Sequence, residues 1–347
     1  MKRVIKLLTV GMLATLSLTA AAQDPLFADS APLAMTLTAP FEQIHADRDK
    51  EKEYPGTISY MDPEHGQTSV DVRLSVRGKF RLQKDVCTNA QLWVNFKKSD
   101  VEDTLFHKQD KLKLVVQCRT VKRYAEYIVR ERQAYEMFEV LSDLSFSTRA
   151  LEVTYADSES GKDRTEGAFF IQHHKRLAKE AGLENFKEAI APKDRQDPAQ
   201  ATLVSLYMYL ISNADYSFIG SAGAAEGETC CHNVKQLMDA EGNFYPIPYD
   251  FDSSGFVNPP YALPAGDLGQ TDINVRIYRG FCASDEITQA AVQKFIDKRA
   301  ELEAIAMDKS VMSSKGVRRA KGYLKKFYDI IEDPKKFEKS IGSRCRT

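Results

Sequence analysis

The chain has 347 residues, with 48 Lys and Arg against 49 Asp and Glu, a formal charge of −1 at neutral pH, and 43% hydrophobic residues. So even a balance gives no electrostatic reason to expect a nucleic-acid partner. The length suits one large domain or two closely packed lobes, each able to bury a core.

Residues 1 to 22, MKRVIKLLTVGMLATLSLTAAA, join a basic start, an apolar run and a small-residue end at Ala20, Ala21 and Ala22. This is the pattern of a secretory signal peptide, with cleavage near Ala22. No later segment has the run of about 18 apolar residues that a span needs. The expectation is a periplasmic or secreted monomer with no transmembrane span. The six cysteines, Cys87, Cys118, Cys230, Cys231, Cys282 and Cys345, form an even set without CxxC spacing. In an oxidising compartment such a set favours disulfides over a zinc site. The favoured pairings are Cys87 with Cys118, and one of the vicinal pair with Cys282.

Residues 23 to 50 read as a partly disordered leader. After it, TISYMD, TSVDVRLSVRGKF, QLWVNF and KLKLVVQC alternate apolar and polar residues, the mark of strands in a mostly antiparallel sheet. Trp93, the sole Trp, is expected to be buried on one of them. RYAEYIVRERQAYEMFEVLSDL then carries apolar residues at helical spacing, and predicts a long amphipathic helix. RALEVTYAD and TEGAFFIQHH add two strands around a Gly-containing loop. Residues 51 to 195 thus read as a β-rich N-terminal lobe with one long helix. Residues 196 to 347 read as a mainly helical C-terminal lobe. It opens on ATLVSLYMYLIS, apolar nearly all round like a core helix, and ends in amphipathic helices from about Ile287. The Lys- and Arg-rich KGVRRAKGYLKKFYDII is read as a solvated helix face.

The chemistry-bearing residues follow the core helix. SNADYS carries Asp215, then come a Gly/Ala-rich insertion, His232 and Asn233, a strand, a DAEGN turn, and a second strand ending in Asp250-Phe251-Asp252. Phosphoryl transfer needs one carboxylate to orient or deprotonate an acceptor hydroxyl, and hard oxygens to hold a divalent metal on the phosphates. Asp215 suits the first role. Asn233 and Asp250 suit the second, with Asp252 as a third ligand. Nucleotide phosphates would need a Lys held by a helical Glu. Lys113 stands on a strand before the long helix, and Glu131 or Glu136 lies within it. Arg77 and Lys79, in the turn of VRGKFRLQK, are alternative phosphate contacts, and Lys84 and Lys111 stay open. Each residue has a plainer reading: Asp215 as a turn cap, and Asp250 and Asp252 as a strand-end turn. If they lie on a strand, Asp250 and Asp252 share a face. By the same rule His173 and His174 face opposite ways and share no metal. His232 reads as a loop hydrogen-bonder. Arg276 and Arg279 either hold phosphate or the Asp cluster, or pair with surface carboxylates.

The ordered set RGKF, KLKLV with a long helix after it, NADYS, HN and IPYDFD resembles the spore-coat-protein-H (CotH) family of secreted atypical kinases. More narrowly, CCHNVKQL, YPIPYDFDSSGFVNPPYALP and RIYRGFC resemble exported bacterial proteins of undefined activity that share its core. The resemblance spans roughly residues 55 to 285. It implies a two-lobed α+β protein-kinase-like fold, with Asp215 as catalytic base and Asp250 with Asn233 as metal ligands. It also implies ATP with Mg²⁺ or Mn²⁺ as cofactors and a protein or cell-envelope hydroxyl as acceptor. The competing expectation is a non-catalytic envelope binding or scaffold protein.

Overall fold

The computed structural model describes residues 24–220 and 230–347. The signal-peptide reading and most of the Gly/Ala-rich insertion lie outside the described residues. Seven strands form the first half: β1 (Leu33–Ala39), β2 (Tyr54–Asp62), β3 (Gly66–Arg77), β4 (Gln91–Phe96), β5 (Lys111–Val115), β6 (Thr148–Asp157) and β7 (Asp163–Ile171). They close into a barrel in the order β1-β2-β3-β4-β5-β7-β6. Neighbours pair antiparallel, except where β1 runs parallel to β6, with Leu33 opposite Leu151 and Ala39 opposite Asp157. Closure leaves no strand edge unpaired.

Alternation along each strand sends one set of side chains inward. Leu37, Ile58, Leu74, Val94, Leu114 and Val153, all fully buried, lie in the barrel core. Each such side chain contributes roughly 1.5–3 kcal/mol of burial. Hairpin ends are tied locally. In the β2–β3 turn, Asp62 accepts from the backbone N–H of Glu64 and His65. Asp157 does the same for Glu159 and Ser160, and also accepts from Glu42 N–H.

The expected two-lobed protein-kinase-like fold, with one helix in its N-terminal lobe, is not the architecture found. The chain forms a closed mixed barrel, and eight α-helices occur among the described residues. Three of them precede residue 195: α1 (Phe41–Asp47), α2 (Arg123–Leu141) and α3 (His174–Ala181). The barrel begins inside the stretch read as leader, because Leu33, Met35, Leu37 and Ala39 fill its interior. Periodicity reports which face of a strand is buried; it is silent on which strands meet. Trp93 is half-buried, on the outer wall of the barrel.

The second core lies against that wall. Val115, Phe169 and Ile171 on the outside of β5 and β7 pack with α2 and with α4 (Pro198–Ile211). Asp197 caps α4 by accepting from Gln200 N–H, Pro198 opens its first turn, and twelve of its residues are buried, as an all-apolar helix requires. A small sheet of β8 (Glu184–Asn185), β9 (Val234–Met238) and β10 (Phe244–Pro248) lies in the order β10-β9-β8. Helices α5 (Asp285–Asp297), α6 (Arg299–Ala306), α7 (Ser314–Ile331) and α8 (Pro334–Ser340) complete the fold. No helix among the described residues is long and apolar enough to cross a membrane.

Three disulfides are present. Cys87–Cys118 is as expected, whereas Cys230 bonds Cys231 and Cys282 bonds Cys345, correcting the Cys282 pairing drawn from the sequence. Cys345 reaches Cys282 because the chain end pairs beside it: Cys282 N–H donates to Arg346 O, and Arg346 N–H to Gly280 O. Cys87 and Cys118 are 31 positions apart. On loop-closure entropy, Cys87→Ser with Cys118→Ser should lower stability by roughly 3–4 kcal/mol in urea titration. An unchanged midpoint would show that this bond does not constrain the unfolded chain.

Candidate functional site

The connection after β3 turns at Gly78, whose φ of +94° suits glycine, and runs into a short 3₁₀ turn at Phe80–Leu82. That turn carries Arg81 into the junction between barrel and second core. Its guanidinium meets three carboxylates: Nη1 is 3.5 Å from Glu131 Oε2, Nη2 3.2 Å from Asp250 Oδ1, and Nε 3.1 Å from Asp252 Oδ2. Glu131 comes from α2, and the two aspartates follow β10.

The aspartates converge because Phe251 between them is fully buried against Tyr135 and Tyr207, with ring centres 4.5 and 5.6 Å away. β10 ends at Pro248, and Asp250 adopts a left-handed φ of +62° with its N–H donating to Tyr135 Oη at 2.8 Å. A turn, and not the shared strand face expected from their i, i+2 spacing, aims both carboxylates into the cleft.

Ligand oxygens of Glu131, Asp250 and Asp252 all lie within 4.8 Å of one another. Three carboxylates face one guanidinium, so the cluster carries excess negative charge. Burial, with Asp252 and Asp250 close by, pushes the Glu131 carboxyl above its ordinary range against the pull of Arg81. Burial also raises Asp252. Against the same desolvation, Arg81, Lys113 and Arg77 hold Asp250 low. Glu131 is 2% exposed and its Oε1 has no hydrogen-bond partner. A buried acceptor left without a donor is costly. Hard oxygens, surplus negative charge and an orphaned acceptor fit a divalent cation such as Mg²⁺ or Mn²⁺. Glu131, Asp250 and Asp252 would hold it.

Asp215 and Asn233 come together on one side. Asp215 is exposed, its Oδ1 2.7 Å from His232 Nε2, while Asn233 Nδ2 donates to Asp215 O at 2.7 Å and Oδ2 at 3.1 Å. The hydrogen bond to Asp215 raises the His232 pKa above its ordinary value, with Asp250 adding to it. Arg279 donates to the carbonyls of Ala214 and Tyr216 and braces this loop. Arg276 likewise donates to Leu210 O and Tyr323 O. Neither arginine forms an ion pair with a carboxylate among the described residues.

Lys113 and Arg77 lie on the barrel's outer wall, near enough to act on Asp250. Lys113 Nζ stands 4.0 Å from the centre of the Tyr249 ring, and burial together with the Arg77 charge lowers its pKa to about 7. Glu136 is not brought to the cluster: it pairs with Arg132 and lines a cleft with Asp308. Glu131 occupies the place instead, one and a half turns earlier on α2. Lys79 and Lys84 are exposed. His173 and His174 do not face opposite ways. β7 ends at Ile171, His173 caps α3, and the two rings lie 4.3 Å apart. Sequence reasoning passed over Arg81, although it belongs to the same basic turn as Arg77 and Lys79. Lys235 on β9 and Tyr249, just after β10, gave no signal.

The chain matches no protein-family model, and no curated protein matches it.

The raised Glu131 pKa has a defined consequence. Above the ordinary carboxylate range the folded, metal-free protein holds a proton that the unfolded chain has released, so this group's contribution to stability falls as pH rises. The stability of wild type minus that of Glu131→Gln should therefore decline from pH 5 to pH 8 in urea titrations. A flat difference would mean that Glu131 is ionised throughout.

Proposed function

We propose that the chain is an exported, metal-dependent phosphotransferase. It binds ATP with Mg²⁺ or Mn²⁺ and passes a phosphoryl, or a nucleotidyl, group to a hydroxyl on a protein or envelope component. The observation that carries this reading is adjacency: an acidic triad with an orphaned oxygen stands within electrostatic reach of Arg77 and Lys113, with the Asp215–His232 pair alongside. Export to the periplasm or beyond is inferred from the first 22 residues and agrees with three disulfides. The resemblance to spore-coat-protein-H kinases supports the reading at the level of site motifs alone, since the barrel does not share the fold that it implied.

In this reading Arg77 and Lys113 hold the phosphates, where positive charge offsets that of the transferring group. A divalent ion on the triad would supply charge neutralisation at the phosphates. Asp215, fixed by Asn233 and His232, orients the acceptor hydroxyl. For phosphoryl transfer, the acceptor oxygen bonds to phosphorus as the anhydride P–O bond breaks. The hydroxyl proton passes to the Asp215–His232 pair, and the bond's electrons leave with the nucleoside diphosphate.

One observation favours a second reading, a non-catalytic envelope binding or scaffold protein: Arg81 pairs with all three carboxylates. An arginine so placed is also what a purely structural buried network looks like. Thermal unfolding separates the two. ATP with Mn²⁺ at a hundred times Kd should stabilise wild type by about 2.7 kcal/mol, and Asp250→Ala should lose the effect. Asp215→Asn should keep it while ATP turnover, with glycerol as hydroxyl acceptor, falls about 100-fold or more. No shift for wild type, or an equal shift for Asp250→Ala, favours the scaffold.

A further inference from the structure

Beside the acidic cluster lies a basic one. Trp93, Lys113, His173, His174, Lys235 and Tyr249 help to line a cavity of about 20 Å³, and no carboxylate lines it. The cations are stacked on its aromatic walls. Lys113 Nζ is 4.0 Å and Lys235 Nζ 5.5 Å from the Tyr249 ring centre. Lys111 Nζ is 4.9 Å and the Arg77 guanidinium 5.9 Å from that of Trp93. Cation–π contact offsets part of the cost of burial, but no anion completes the set. Among the described residues no carboxylate forms an ion pair with Lys113 or Lys235; Asp250 acts on Lys113 from beyond contact distance, against Arg77, Lys235 and Arg81, and burial lowers Lys235. The buried Arg77 Nε has no hydrogen-bond partner. Both histidines are held far below their ordinary pKa, His173 to about 4 and His174 to about 3, by burial and then by neighbouring positive charge. Buried positive charge without a paired anion is costly, and an oxyanion in this cavity would pair with Lys113 and Lys235, the two cations that line it.

Size decides what the oxyanion is attached to. Pockets that enclose organic ligands run to about 300–1,000 Å³, whereas about 10–15 Å³ holds one water-sized group. A purine does not fit between Trp93 and Tyr249; single phosphate oxygens do. We propose that this pocket takes a phosphate oxygen of the donor and leaves any nucleoside outside, so that the donor is recognised as a phosphoanhydride of polyphosphate type, with or without a nucleoside attached. The inference rests on the phosphotransferase reading above. The bond changes are those already given, with a polyphosphate one unit shorter as the leaving group.

The test is thermal unfolding in fixed Mn²⁺ with three probes: sodium tripolyphosphate, ATP and adenosine. Tripolyphosphate and ATP should bind within about threefold of each other, because charge-assisted contacts to phosphate supply the affinity, and adenosine should not bind. Lys235→Ala should weaken tripolyphosphate by about tenfold or more, the scale of one hydrogen bond to a charged group. Lys235→Gln, with folding checked by circular dichroism, serves if the alanine variant does not fold. Binding of ATP without tripolyphosphate, or of adenosine, overturns the inference and leaves the phosphotransferase reading standing. Binding of Mn²⁺ with neither anion overturns both.

Discussion

The Arg81 guanidinium ties together three parts of the chain that are far apart in sequence. The turn between β3 and β4 supplies the arginine, α2 supplies Glu131, and the segment after β10 supplies Asp250 and Asp252. Desolvating such a network is expensive, and removing one partner from it costs about 3–5 kcal/mol. The interaction is therefore intolerant of drift. If α2 or the β10 turn moves, a buried carboxylate loses its counter-charge. Phe251 enforces the same register from the apolar side, since its ring is locked between Tyr135 and Tyr207 while its two neighbours face the cleft. Position along α2 is fixed further by Tyr207 Oη, which donates to Ala134 O.

Two clusters of opposite sign result, and each is incomplete alone. The triad holds more negative charge than Arg81 offsets, and the wall of Arg77, Lys113 and Lys235 holds positive charge that Asp250 offsets only in part. Folding accepts these local costs because the barrel core and the second core bury so much apolar surface around them. Sites where local rules are broken and the surroundings compensate are where ligands are expected. A divalent cation and a phosphate chain together would complete both halves at once.

Much of this was legible at the level of elements. QLWVNF is β4 and VKQLM is β9 residue for residue, and the mostly apolar ATLVSLYMYLIS lies in α4 up to Ile211, with Ser212 as its C-cap. Pairing was not legible. β1 closes the barrel against β6, far along the chain, and nothing in the alternation of LAMTLTA names its partner. On α2 the helical period separates Glu131 from Glu136 by about 140°, so only one can face the cleft, and the sequence does not say which. The basic turn drew attention to Arg77 and Lys79, and nothing in its spacing singled out Arg81, two positions further on. Asp215, Asn233, Asp250 and Asp252 stood out in the sequence because carboxylates and amides at loop ends are chemically conspicuous. Lys235 was missed because a lysine on an amphipathic strand normally faces water.

The central claim is that Glu131, Asp250 and Asp252 hold a divalent cation despite the presence of Arg81. Electron paramagnetic resonance of free Mn²⁺, titrated with purified protein, measures this directly, without reference to any substrate. One ion should bind per chain in the wild type, and binding should be lost in Asp252→Asn, whose fold can be checked separately. A wild type that leaves all Mn²⁺ free, or a variant that binds it equally well, would contradict the account and leave Arg81 as the central counter-charge of a structural network.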